Sequence, residues 1–437
     1  MIQDGREVLD VTLDKPENLV RVLETFFGYT APAIEAWEEA VAEFKARLPE
    51  LGEILKAAIE TEHTQNIRYR VAFDGFYAQC RAAINPNLSR EAVQEMLIQH
   101  LLTERIFRRV FQNDRFTREN AIAQELEKVA NALTSKAFSR DEFAKALDHI
   151  YKPIETTAAT IGDYNEKQDF LNAVYENFFQ GFSVKTADTH GIVYTPQPIV
   201  QFMVKSVEAL LGEVFGRSLV DGGVHILDPF VGTGNFILRV MEEIRQTRPS
   251  ALRHKYAHEL HCNEVMLLPY YVASMNLEHA YYEAMGEYAP FAGICLVDTF
   301  ELAEEKTLPM FVEENTERVE RQRRAPITVI IGNPPYNVGQ VNENDNNKNR
   351  KYPVVDRRVR DTYTAASKAT NRNALSDPYV KAFRWASDRI KDEGVVAFVT
   401  NNSFVDNISF DGMRQHLLSE FDAVYVLDLG GKPQACY

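Results

Sequence analysis

The sequence predicts an α/β protein: a doubly wound, mostly parallel sheet preceded by an all-α domain. Three observations predict it. Apolar residues recur at helical spacing through roughly the first 180 positions. After about residue 185 the texture changes to short apolar runs alternating with helical patterns. Those runs end, one after another, on polar or acidic residues: Asp228, Glu264, Asp298, Asn333 and Asn401. The expected division is a helical domain over 1–183 and a sheet domain over 184–437.

In the first part, Ile34, Trp37, Val41, Phe44 and Leu48 lie on one helical face, as do Ile122, Leu126, Val129 and Leu133. Ser139 and Glu142 form a capping-box pattern ahead of Phe143, Leu147 and Ile150. Phe170, Val174, Phe178 and Phe182 make a further stripe. Aromatic stripes at this spacing are read as core, and no chemistry is visible in them. Glu43-Phe44-Lys45 lies within a helical pattern and reads as a solvated face, so no nuclease is assigned.

In the second part, 224–229, 256–264, 292–298, 327–335, 394–401 and 423–429 read as strands. Segments such as 234–246 and 377–392 are long enough for crossover helices. Doubly wound sheets bind ligands beyond the carboxyl ends of their strands, where the polar strand ends collect.

Composition narrows the classes. No run of about twenty apolar residues is present, and MIQDGREVLD lacks the basic and apolar segments of a signal peptide. Cys80, Cys262, Cys295 and Cys436 have no metal-ligand spacing and read as reduced thiols in a cytoplasmic protein. No metal site is expected. A net charge of −15 disfavours a general nucleic-acid binder, yet 346–363 concentrates Lys348, Arg350, Lys351, Arg357, Arg358 and Arg360.

Two motifs carry chemistry. In 227–241 a strand, a turn with Gly232 and Gly234, and a helix follow one another. Glycines there permit positive φ and a close approach of a ligand. Glu264, at the end of the next strand, can accept both hydroxyls of a ribose. The third glycine of the dinucleotide fingerprint is replaced by Ile237, so an adenosine without a diphosphate is expected. In 330–337, IIGNPPYN drives an apolar strand into two prolines, which can continue neither a ladder nor a helix. A rigid stop with an amide before it and a phenol after it suits a flat group carrying an amino function.

Asp-Pro-Phe-x-Gly-x-Gly-Asn-Phe over 228–236, followed by Asn-Pro-Pro-Tyr over 333–336, resembles the N6-adenine DNA methyltransferases. The resemblance covers roughly 165–430, and the runs FFQGFSV, DTHGIVYTP and NENDNNKNRKYP are most similar to the methylase part of single-polypeptide restriction–modification enzymes. It implies a class I S-adenosylmethionine-dependent methyltransferase fold. It also implies a cofactor site of Tyr194, Thr195, Pro196, Asp228, Pro229, Phe230, Gly232, Gly234, Asn235, Glu264 and Asp298, the last against the cofactor's adenine.

The catalytic residues it implies are Asn333, Pro334, Pro335 and Tyr336. The Asn333 side-chain carbonyl and the Pro334 main-chain carbonyl would accept the two hydrogens of adenine N6, and Tyr336 would stack on a flipped base. Lys348, Arg350 and Lys351 would meet phosphates of double-stranded DNA. Other readings stay open at this level: methylation of a protein glutamine or of RNA, or an inactive cofactor-binding subunit. No GxxxxGK[ST] motif occurs in the chain. The resemblance also implies a separate or C-terminal target-recognition domain and restriction subunits as partners. Methyltransferase sheets of this class have a seventh strand, which GGKPQACY after 429 cannot supply. The expectation is a piece of a longer protein that alone binds cofactor weakly if at all, tends to aggregate and fails to methylate DNA site-specifically.

Overall fold

The structure, a computed structural model, describes residues 2–3, 6–7, 18, 20, 34–84, 88–110, 119–135, 138–160, 195–303, 313–335 and 351–430. The stripe at Phe170–Phe182 and Cys436 lie outside the described residues.

The helical part contains α1 (Ile34–Gln65), α2 (Ile67–Ala83), α3 (Arg90–Val110), α4 (Ala121–Leu133), α5 (Arg140–Ala146) and α6 (Asp148–Thr160). Of the expected faces, Phe44, Leu48, Ile122, Leu126, Val129 and Leu133 are all buried, and the side chains of Ile34, Trp37 and Val41 lie outside what is described. The Ser139 cap forms as well, its hydroxyl accepting from the Glu142 N–H at 3.3 Å.

The sheet has five strands: β1 (His225–Asp228), β2 (Leu260–Glu264), β3 (Ile294–Leu296), β4 (Ile327–Gly332) and β5 (Val395–Phe398). All pair in parallel, in the order β3-β2-β1-β4-β5. Side chains alternate between two cores because successive Cβ atoms point to opposite faces. Ile226, Val329 and Ile331 join a core that runs without a break into the helical part, whereas Leu227 and Ile330 join one on the other face. Helices α7 (Gln197–Phe215), α8 (Asn235–Thr247) and α9 (Leu267–Met285) cover the first face. Helices α10 (Glu313–Arg324), α11 (Pro353–Val359), α12 (Pro378–Arg389) and α13 (Asp411–Glu420) complete the part. The last three supply half of the buried residues of the second core. The expected α/β doubly wound fold behind an all-α region is present.

Two expectations are corrected. Residues 256–259 are not strand: Lys255–Glu259 makes a π-helical turn before β2. Buried Lys255 donates to the Val224 carbonyl at 2.7 Å and pairs with Glu259 at 2.8 Å, and Glu259 accepts from the Gly223 N–H at 2.7 Å. These contacts hold the segment coiled against the entry to β1. Residues 423–429 form no ladder, and Val424, Tyr425, Val426, Leu427 and Leu429 are exposed. An apolar run becomes a strand only when a neighbour supplies its hydrogen bonds, and among the described residues none pairs with it. Cys80, Cys262 and Cys295 are buried free thiols, as expected. No described helix is long and apolar enough to cross a membrane.

Candidate functional site at the switch point of the sheet

Strand order reverses between β1 and β4, so the carboxyl ends of these two strands flank a crevice where doubly wound sheets take ligands. Asp228 ends β1, and Asn333 follows β4 directly. A Cβ added to Gly332 would lie 2.7 Å from Asp228 Oδ1, so glycine is what lets the two strand ends close together. Asp228 is fully buried; its Oδ1 accepts from the Phe230 N–H at 3.0 Å, and its Oδ2 has no hydrogen-bond partner in the structure.

The turn between β1 and α8 has positive φ at Gly232 (54°) and Gly234 (99°). A Cβ on Gly232 would meet no atom within 4 Å, so the space against this turn is open, whereas Gly234 abuts Ala273. Glu264, at the end of β2, accepts from the Gly232 N–H at 3.1 Å through Oε2. Its Oε1 accepts from the N–H groups of Val265 and Met266, both at 2.9 Å. Burial pushes the Asp228 carboxyl up to about 8 and that of Glu264 up to about 7. No Lys or Arg pairs with either acid among the described residues.

Asn333 donates through Nδ2 to Thr195 Oγ1 at 3.1 Å, joining the end of β4 to the residue that opens α7 two positions later. Thr195 and Pro334 are buried, Pro335 half-buried and Pro196 exposed. Asn235, the first residue of α8, accepts from Gln197 Nε2 at 3.5 Å. Pro229 accepts through its carbonyl from Thr299 Oγ1 at 2.5 Å. Asp298, two residues past β3, accepts from the Phe300 N–H at 3.0 Å. Phe230 packs against Phe300 (centroids 5.5 Å apart) and Phe398 (6.4 Å). Thus Thr195, Asp228, Pro229, Phe230, Gly232, Gly234, Glu264, Asp298 and Asn333 converge along one edge of the sheet. Tyr194, Tyr336, Lys348 and Arg350 lie outside the described residues, and Lys351 is exposed.

Sequence reasoning passed over Thr299, Phe300, Phe398 and Tyr352. The first two directly follow Asp298, and only the acid is a candidate on sequence grounds. Tyr352 stands among the charges of the basic segment. Its hydroxyl reaches Asp298 Oδ2 at 3.0 Å.

Comparison with known proteins agrees with this architecture. The profile of the N-6 DNA methylase family matches residues 166–404, and that of the coupler domain of Type ISP restriction–modification enzymes matches residues 34–166. No match was found among curated protein sequences. Among solved structures, DrdV in a complex with DNA is 42% identical over 96% of this chain and 41% of its own, with a TM-score of 0.83. The ATP-dependent Type ISP restriction–modification enzyme LlaBIII, bound to DNA, is 36% identical over 86% of this chain and 25% of its own, at 0.79. A nuclease-deletion mutant of the Type ISP enzyme LlaGI, with a DNA substrate mimic, is 35% identical over 93% of this chain and 32% of its own, at 0.78. The chain therefore spans less than half the length of each of these three. With a family profile covering more than half of its residues and the matching sheet-end motifs in place, the chain belongs to the N-6 DNA methylase family.

Proposed function

We propose that this chain is the methyltransferase module of a restriction–modification enzyme and transfers a methyl group from S-adenosylmethionine to N6 of adenine in double-stranded DNA. The observation that carries it is the placement of Asn333, held by Thr195 one residue beyond β4 and next to the buried Asp228. With Nδ2 committed to Thr195, the acceptor that this side chain offers an amino group is Oδ1. The main-chain carbonyl of Pro334 is a second acceptor on a rigid turn. Two fixed acceptors favour a pyramidal nitrogen with its lone pair available, and fixing them beforehand removes the reorganisation that water would need. The proton leaves after transfer, so no general base is required.

The residues fit the cofactor. Asp228 carries a buried oxygen without a partner, Glu264 lacks a cation, and the turn at Gly232 opens onto empty space. A ligand with hydroxyls and positive charge matches that set. When bound, S-adenosylmethionine supplies an electrophilic methyl on its sulfonium. Tyr194, Thr195, Pro196, Asp228, Pro229, Phe230, Gly232, Gly234, Asn235, Glu264 and Asp298 would hold it, Glu264 accepting from the ribose and Asp298 from the adenine. Pro335 stiffens the turn, and Tyr336 would stack on the target base.

DNA as the substrate is supported by the three DNA-bound relatives and by Lys348, Arg350 and Lys351, which follow the motif and would contact phosphates. Target-recognition and restriction functions would come from partner domains or subunits, in a cytoplasmic setting. The division at 183/184 belongs to the same reading; the two family profiles meet at residue 166. The test is transfer of tritium from labelled cofactor to duplex DNA, RNA and a protein lysate, using protein that contains these 437 residues. Label in adenine of duplex DNA is expected. Label in glutamine or RNA alone would overturn the substrate assignment.

A further inference from the structure

Tyr352 lies within the basic segment and directly precedes α11, yet its hydroxyl lies on an acid from the far side of the crevice. Asp298 is buried, and both its oxygens are held: Oδ1 by the Phe300 N–H and Oδ2 by the Tyr352 hydroxyl, each at 3.0 Å. The tyrosine is itself fixed in three ways. Its N–H donates to Asp356 Oδ2 at 2.8 Å. Its ring meets that of Phe300 edge-on, with centroids 5.0 Å apart. The buried ammonium of Lys381 lies 5.2 Å from the ring centroid and pairs with Asp356 Oδ1 at 2.8 Å. A phenol held this firmly, with its proton on a carboxylate, is more than filler for a core.

We propose that Tyr352 is a positioning residue for the cofactor's purine, fixing the Asp298 carboxylate as an acceptor for the exocyclic amino group and so setting selectivity for adenine. This rests on the reading above, in which Asp298 faces that amino group. Two donors on one carboxylate fix its plane and keep it acceptor-only. Adenine presents N–H donors to such a group. A deaminated purine presents a carbonyl oxygen, which the same fixed carboxylate repels. Without the phenol, the carboxylate is free to turn and the distinction weakens.

Calorimetric titration of S-adenosylhomocysteine and of its deaminated analogue, S-inosylhomocysteine, tests this on protein that contains these 437 residues. Tyr352→Phe keeps the ring contacts and removes one hydroxyl. The adenosyl ligand should bind about tenfold more weakly, as for a lost hydrogen bond to a charged group, while the inosyl ligand changes little. In an Asp298→Asn background the same substitution should have almost no further effect, since the carboxylate it orients is gone. Unchanged or tighter adenosyl binding in Tyr352→Phe, or equal weakening of both ligands, would overturn the proposal. Failure of the unsubstituted protein containing these 437 residues to bind either ligand, with Gly232→Val identical to it, would overturn the cofactor reading itself and this inference with it. Adenosyl binding that Gly232→Val abolishes and Tyr352→Phe leaves intact removes only the role of Tyr352.

Discussion

Acids drawn into the two halves of the molecule, half-buried in one and fully buried in the other, are treated in opposite ways. In the helical part, Glu127 accepts from His100 Nε2 at 2.9 Å and from both terminal nitrogens of Arg140 at 2.7 and 2.8 Å. Burial alone would raise its carboxyl, but the hydrogen bonds from His100 and Arg140 outweigh it and hold Glu127 well below the usual range. His100 is also hydrogen-bonded through Nδ1 to the Tyr271 hydroxyl at 3.1 Å, which ties the set to α9 of the sheet part. At the sheet end, Asp228 and Glu264 are more deeply buried, have only backbone donors, and are pushed upward. A satisfied acid cements an interface. An acid left without a cation in a crevice keeps its capacity for a ligand that brings one, and its placement costs stability until that ligand arrives.

The largest effect that separates the two regions is on chemistry. Asn333→Ala removes one preorganised acceptor and should lower methyl transfer by roughly 10²–10³, by analogy with a lost oxyanion-hole donor. Cofactor affinity and the melting temperature should barely move. Single-turnover transfer to duplex DNA by protein containing this domain measures it, and a fully active Asn333→Ala contradicts the mechanism.

Next comes the cemented set. Arg140→Met leaves Glu127 without its guanidinium, while Glu104, 3.5 Å from Arg140, keeps Arg108 at 3.4 Å. Breaking a buried pair by removing one partner is costly, and with Glu127 about one-fifth exposed the loss should be about 2–3 kcal/mol. Urea unfolding should show it, with cofactor affinity unchanged. An unaltered midpoint would mean that the pair is not what joins the helical part to α9.

At the sheet end the sign reverses. The folded Asp228 carboxyl, at about 8, binds protons that an unfolded aspartate releases near 4. Its contribution to stability is therefore complete below about pH 4 and lost as the pH rises toward 8. Asp228→Asn removes that slope and should stabilise the unliganded protein at pH 8 by about 2 kcal/mol, while weakening cofactor binding. Equal or lower stability at pH 8, measured in urea, would show that Asp228 is compensated by a group in the protein after all.

Most of this architecture was legible in the sequence, for local reasons. Helical stripes such as Ile122 to Leu133 bury one face at any angle of packing, and β1 to β5 carry apolar runs ending on polar residues. The glycine turn and the Asn-Pro-Pro stop are rigid enough to keep their shape wherever they stand. What was not legible depends on neighbours. Residues 256–259 run straight into the strand β2, but Lys255 and Glu259 bind the entry to β1 and coil the segment. Residues 423–429 have strand composition and no ladder partner among the described residues. Tyr352 reaches Asp298 across 54 positions, and no local pattern encodes that contact.

The smallest expected effect is also the one that joins the two acids of the site to a ligand. Glu264 can accept from two hydroxyls fully only when ionised, and burial places its carboxyl at about 7. Binding that favours the ionised form must strengthen as protons leave, so cofactor affinity should rise between pH 6 and 8, by up to about tenfold. Above about pH 9 it should level off, since Asp228, at about 8, is then largely ionised as well. The unliganded protein should lose stability over the same range, because the folded carboxyls hold protons that the unfolded chain has already released. Ligand affinity and apo stability thus run in opposite directions with pH. Glu264→Gln should flatten the affinity profile without removing the slope due to Asp228, and Asp228→Asn should do the converse. Titrations of S-adenosylhomocysteine at pH 6, 7, 8 and 9 separate the two contributions. An affinity that falls as the pH rises would mean that the cofactor binds the protonated acids, and that their burial serves the fold rather than the ligand.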